Sequence, residues 1–193
     1  MPQLRLTCGP IELRLATPRA APQLFQLARD PEVSQYLQWH AHTSIEDSLA
    51  YIREAARLWR RGIAYLPAVF DIERQTLLGS TGISSIDRTN RRAEVGTWLG
   101  VRHQGAGLNL PIKAAVFQLG FGQLGLERLE LLVRTDNERS LAATRKLPAL
   151  TDEGVQHARI WAAGEPHDAV MFSIVRGDWD PTDWPPVTAV GTL

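Results

Sequence analysis

Cysteine is almost missing from this chain: 193 residues hold only Cys8, so an internal disulfide framework is excluded and a reducing compartment suits the protein. A lone thiol of this kind reads as buried and inert rather than reactive. Net charge is missing too. The 21 Lys plus Arg are matched by 21 Asp plus Glu, which argues against a nucleic-acid binder held by general electrostatic attraction. No apolar run approaches the ~20 residues of a membrane span, and no basic stretch followed by an apolar core stands at the N-terminus. Internal repeats, low-complexity tracts and interdomain linkers are absent as well. The expectation is a cytoplasmic protein without nucleic-acid or membrane partners.

What remains is an ordinary globular composition, 44% hydrophobic and 22% charged, long enough for one substantial core. We expect a single domain over residues 1–178 and an irregular tail over 179–193. That tail region, rich in Pro and Trp, is expected on the surface or against a partner, and a homodimer is possible on that ground.

Short alternating runs at 4–7 and 11–15 flank Gly9-Pro10 and predict a hairpin. Thr17-Pro18 and Asp30-Pro31 are helix starts. Ser44, with Asp47 three residues on, resembles a capping box with the acid one carbon short, and opens a helix that Gly62 ends. Runs at 64–72, 76–86 and 93–101 predict a meander of three antiparallel strands. An amphipathic helix reaching Leu124 follows, then a strand at 128–134, a short helix at 137–146, and strands at 155–162 and 169–175. The order makes an α/β chain, or α+β by some schemes.

The most informative stretch joins the third strand of the meander to that amphipathic helix: Gln104-Gly105-Ala106-Gly107-Leu108-Asn109. A strand, a tight glycine turn and a helix N-terminus form a cradle for phosphate, because glycines let the backbone approach an anion that the free N–H groups of the first turn address. A purely structural tight turn is the alternative. Pro111 is tolerated only in a first helical turn, so the helix must begin near 106–108. A dinucleotide fingerprint is excluded, since Leu110 stands where a third small residue is needed, and no Gly-Lys-Ser/Thr makes a P-loop.

Several segments in order carry a family resemblance: Asp30-Pro31-Glu32-Val33, Tyr36 to Trp39, Glu94 to Gly100, the glycine turn, Leu124 to Glu130, Asn137 to Leu147, and Asp168 to Trp179. The chain resembles the GNAT superfamily of acetyl-CoA-dependent N-acetyltransferases, in the branch of the ribosomal-protein-alanine acetyltransferases. The resemblance implies the GNAT fold, a central mixed, mostly antiparallel, split and twisted sheet flanked by helices. It implies an enzyme that moves acetyl from acetyl-CoA to a primary amine, a protein N-terminus or a small molecule, without a metal. The superfamily loop reads Gln/Arg-x-x-Gly-x-Gly/Ala; matched from Gln104, it departs at Asn109. A second departure is Pro148, where the family has a glycine that caps the preceding helix. These departures suggest the alternative of a noncatalytic acyl-CoA-binding or sensing domain.

By the same resemblance the cofactor is held by Leu99, Gly100, Val101, Arg102, Gln104, Gly105, Ala106, Gly107, Leu108, Asn109 and Asn137, and Trp39 lines the acceptor entrance. Ser140, three residues from Asn137 and so on its helix face, is implied as proton donor to the departing sulfur. Glu94 is the best-placed candidate base, against the alternative of a solvated strand carboxylate or one paired with Arg91 or Arg92. His40-x-His42 lacks a third ligand at defined spacing, so a metal is not expected.

Overall fold

The computed structural model describes residues 4–193. Nine strands form one mixed sheet in the order β7-β8-β6-β5-β4-β3-β2-β1-β9. The strands are β1 (Arg5–Cys8), β2 (Ile11–Arg14), β3 (Ala68–Asp71), β4 (Leu77–Asp87), β5 (Arg92–Leu99), β6 (Arg128–Arg134), β7 (Thr151–Ala162), β8 (Glu165–Val175) and β9 (Thr188–Val190). Every neighbouring pair is antiparallel except β5 and β6. The helices are α1 (Ala21–Ala28), α2 (Pro31–Ser34), α3 (Ile45–Arg60), α4 (Asn109–Phe117) and α5 (Glu138–Thr144).

Strand alternation sorts side chains between two cores. Leu6, Ile11, Leu13, Val95, Leu129 and Leu131 join α4 residues such as Ile112 and Phe117 in the larger core. Ala68, Phe70 and Leu77 turn the other way, toward Leu24, Leu27 and Ile52 of α1 and α3. The helix starts follow local chemistry. The Asp30 carboxylate caps α2 by accepting from the Glu32 N–H at 3.0 Å. Ser44 and Asp47 close a full capping box on α3, the Asp47 carboxylate accepting from the Ser44 and Thr43 N–H groups at 3.1 and 2.8 Å. The shorter acid therefore reaches as a glutamate would.

The tail differs from the irregular segment expected. Trp184 is buried, with its ring 5.2 Å from that of Phe117, and Trp179 stacks on Phe121 at 5.1 Å. Beyond them β9 pairs with β1. The tail is thus part of the core and of the sheet, since two large aromatic rings bury far more apolar area than a surface strap would. Cys8 lies in the same region, 1% exposed, and burial pushes its thiol pKa up.

Smaller differences concern boundaries. The strand expected from Ala64 pairs as a strand only from Ala68, with Tyr65 making one isolated bridge to Ile83. β7 and β8 each begin four residues earlier than expected and turn at Ala163-Gly164, both in the left-handed region. Pro148 does shorten the helix before it: α5 stops at Thr144, and the left-handed residue moves to Ala149, φ 58°.

Candidate active site

The site begins where the sheet comes apart. β5 and β6 pair only through Arg92, Ala93 and Glu94, against Arg128, Leu129 and Glu130. Beyond Glu94 each strand stays with its own half: β5 with β4 out to Leu99, and β6 with β8 out to Arg134. A wedge opens between them, flanked by backbone on both sides. Because the two strands are parallel, their carboxyl ends lie at the same end of the wedge, as at the switch points where open sheets bind ligands. One leads through the glycine turn into α4, the other into α5.

The glycine turn is built for close approach. Gly105 and Gly107 have φ of 75° and 74°, in the left-handed region, and a Cβ on either would meet nothing within 4 Å. The space beside them is open. The first α4 hydrogen bond runs from the Ile112 N–H to the Leu108 carbonyl at 3.1 Å, so the N–H groups just before it are free of helical partners. The helix starts at Asn109, one residue later than expected, with Pro111 inside its first turn.

This geometry corrects the alignment of the turn. The superfamily pattern read from Arg102, rather than from Gln104, places its two glycines on Gly105 and Gly107, the two left-handed positions. Asn109 then breaks nothing. Its Nδ2 donates to the Ala143 carbonyl of α5 at 3.1 Å, tying α4 to α5 across the mouth of the wedge. Gln104 turns away from the open space: its Nε2 donates to the Leu99 carbonyl at 2.9 Å and so braces the end of β5. Arg102 is exposed and Val101 half-buried in the short turn between them.

On the β6 side, Asn137 caps α5 by accepting from the Ser140 N–H at 3.1 Å. Its side-chain oxygen is therefore engaged, leaving its amide N–H groups for a ligand. Ser140 is half-buried on the next turn. Below them Arg134 forks onto Asp136 at 3.0 and 2.6 Å and lies 5.3 Å from the Tyr36 ring. An open polar cleft of ≈ 350 Å³ runs here between α2 and α5, lined by Glu32, Tyr36, Asp136 and Glu138 among others.

Glu94 sits in the last pair before the wedge, with its side chain on the face opposite α4. Its partner is neither Arg91 nor Arg92 but Arg159 of β7, at 3.0 Å. Arg91 instead bonds Glu127 and the Gly125 carbonyl, and Arg92 reaches Asp87 and Glu130. On the same face as Glu94, Trp98 meets Trp39 edge-on at 5.4 Å, and Trp39 lies 5.5 Å from His42. His42 bonds the buried Ser48 hydroxyl at 2.8 Å, and burial lowers its pKa more than Asp47 raises it. It is held toward its neutral form in the wall beside Trp39.

From the sequence Lys113 reads as a cation available to the cofactor phosphates, and its burial beside β5 was not legible. Lys113 on α4 is 4% exposed, and its Nζ donates to the Thr97 hydroxyl of β5 at 2.5 Å. The available signal was its position four residues after Asn109, on a helix whose residues from Ile112 to Phe117 are otherwise apolar.

Residues 11–149 match the acetyltransferase (GNAT) domain. The chain belongs to the GNAT acetyltransferase family. It is 31% identical over 169 residues to the uncharacterized N-acetyltransferase YoaA of Bacillus subtilis (strain 168), covering 85% of this chain and 92% of that one. Its fold is similar to that of a putative ribosomal-protein-serine acetyltransferase from Vibrio cholerae, with a TM-score of 0.80, 28% identity, and coverage of 91% and 99% of the two chains. It is also similar to RimL, a ribosomal L7/L12 alpha-N-protein acetyltransferase solved with coenzyme A. There the TM-score is 0.75, the identity 26%, and the coverage 86% and 94%. This acetyltransferase therefore carries the split sheet of its family, and the open glycine turn fits a diphosphate.

Proposed function

We propose that this acetyltransferase moves the acetyl group of acetyl-CoA directly to the amino terminus of a protein or peptide. The observation that carries the reading is the wedge beyond Glu94 and Glu130, which ends at the glycine turn. Acetyl-CoA supplies the acetyl group activated as a thioester. Backbone N–H groups from Gly105 to Asn109 hold its phosphates, and the unpaired edge of β5 up to Leu99 orients its arm. Asn137 donates to that arm through its amide.

Ser140 gives a proton to the departing sulfur. The demand is modest, since a thiol of ordinary pKa near ~8.5 leaves readily near neutrality. Glu94, at the closed end of the wedge and steered by Arg159, takes the proton of the incoming ammonium directly or through water. Cys8 is buried far along the sheet, which favours direct transfer in a ternary complex over a covalent enzyme intermediate. Trp39 and Trp98 wall the acceptor side. The open, polar α2–α5 cleft suits an extended peptide better than a closed pocket would, and two structural neighbours are named for ribosomal-protein substrates.

The test is CoA thiol release with a panel of acceptors: peptides with free amino termini, the same peptides blocked at that terminus, a polyamine and an aminoglycoside. Release with free peptides only is expected. Release with the polyamine or the aminoglycoside alone overturns the peptide reading while leaving acetyl transfer intact.

A further inference from the structure

Lys113 stands out among the buried polar groups. It lies inside the main core, 4% exposed, and a lysine is buried in this way only at a large desolvation cost. Among the described residues no carboxylate pairs with it. Its Nζ reaches the Thr97 hydroxyl, and Thr97 in turn shares a hydrogen bond with the Thr81 hydroxyl at 2.6 Å. A lysine ammonium has three N–H donors, so two remain.

The helix sets Lys113 beside the wedge. Asn109 and Lys113 are four residues apart and share one stripe of α4. Asn109 reaches α5 across the mouth of the wedge, and Lys113, one turn further along, meets the wall of the wedge on β5 at Thr97. Thr97 agrees with this placement, because it stands three residues past the last β5–β6 pair.

The groups packed around Lys113 are neutral. Cys8 is the titratable residue of β1 on this face, and its thiol is directed to the Pro185 carbonyl. By strand alternation Arg5, Glu12 and Arg14 of β1 and β2 lie on the opposite face, where they pair with one another. Glu94 of β5 and Glu130 and Arg134 of β6 also point away. α5 turns Leu141 and Thr144 inward and leaves Glu138, Arg139 and Arg145 exposed.

We propose that Lys113 is a ligand of the pantetheine arm, its buried ammonium donating to a carbonyl oxygen of the arm in the wedge, so that acyl-CoA selects the charged lysine. The inference rests on the acetyl-CoA reading above. Burial alone holds the free ammonium down to about 7, so near neutrality part of the lysine is uncharged until the ligand arrives. Binding above that pH then takes up a proton.

The experiment is titration calorimetry of the whole protein with CoA at pH 8, in two buffers of different ionisation enthalpy. Uptake of roughly half a proton is expected at pH 8, with affinity falling several-fold per pH unit above 7. The comparison ligand is 3′-phosphoadenosine 5′-diphosphate, which keeps the phosphates and lacks the arm; it should bind with no uptake. Lys113→Met should abolish the uptake and weaken CoA by ~10-fold at pH 7, a change worth about one hydrogen bond to a charged group, while leaving the comparison ligand unaffected. CoA binding without uptake, or equal uptake with the armless ligand, overturns the role of Lys113. Failure of CoA to bind at all is a different result, and overturns the acetyl-CoA reading together with it.

Discussion

Replacing Lys113 by Met should make the ligand-free protein more stable, and by an amount that depends on pH. An unfolded chain carries this lysine with its ordinary pKa of 10.5, and burial lowers it to about 7 in the fold. At ~1.4 kcal/mol for each pH unit, the gap is worth ~5 kcal/mol. The sign follows from proton counting. Between pH 7 and 10.5 the unfolded state holds a proton that the folded state has lost, so wild-type stability rises with pH across that window. Below pH 7 both states are protonated and the full cost of the buried charge is felt. Methionine is close in volume and has no charge to bury. It loses the bond to Thr97, worth ~1–2 kcal/mol, while Thr97 and Thr81 keep each other as partners. The variant should therefore exceed wild type by ~3 kcal/mol at pH 6, and the margin should shrink by ~1.4 kcal/mol for each pH unit above 7. Urea unfolding of the ligand-free protein at pH 6, 8 and 9 measures this. Parallel stabilities at the three pH values, or a variant less stable than wild type at pH 6, would refute the reasoning.

Gly107→Val places a β-branched residue at φ 74° and fills the open space beside the turn; the strain of ~1–3 kcal/mol should appear in stability, CoA affinity should fall by more than ~100-fold because the space is filled, and unchanged affinity in calorimetry would sink the cradle assignment. Ser140→Ala should lower turnover by ~100-fold with little change in CoA affinity; equal, negligible effects on both would make Ser140 an ordinary helical residue. Trp184→Ala should destabilise the protein by ~3–5 kcal/mol in denaturant unfolding, because it removes a buried ring from the face of Phe117. An unchanged midpoint would mean that the tail is dispensable to the core.

Local chemistry was legible wherever neighbours in the chain decide the outcome. The strand at Arg128–Arg134 falls on the residues its pattern marks, and the Asp30 and Ser44 caps form as their side chains require. The three-strand meander was equally readable. The register of the glycine motif was legible but missed: read from Gln104 the pattern fails at Asn109, read from Arg102 it fits throughout, and the left-handed backbone at Gly105 and Gly107 agrees with the second reading. Glu94 was visible as a carboxylate on the open face, but its partner Arg159 lies 65 positions along the chain. The short strand β9 escaped for the same reason: three residues make no pattern by themselves, and their partner is the first strand of the fold.

That pairing of the chain's two ends has a consequence for solubility. β1 carries Leu6 and Cys8 into the core, and without β9 its outer row of N–H and C=O groups would be a bare sheet edge, open to pairing with any other extended chain. β9 is short and exposed at all of its residues, so the edge it offers in turn is a poor template. A chain cut just before Thr188 would keep Trp184 and its core, and would tend to assemble edge to edge rather than to unfold. The pairing leaves the sheet a shorter and more exposed edge than β1 would offer.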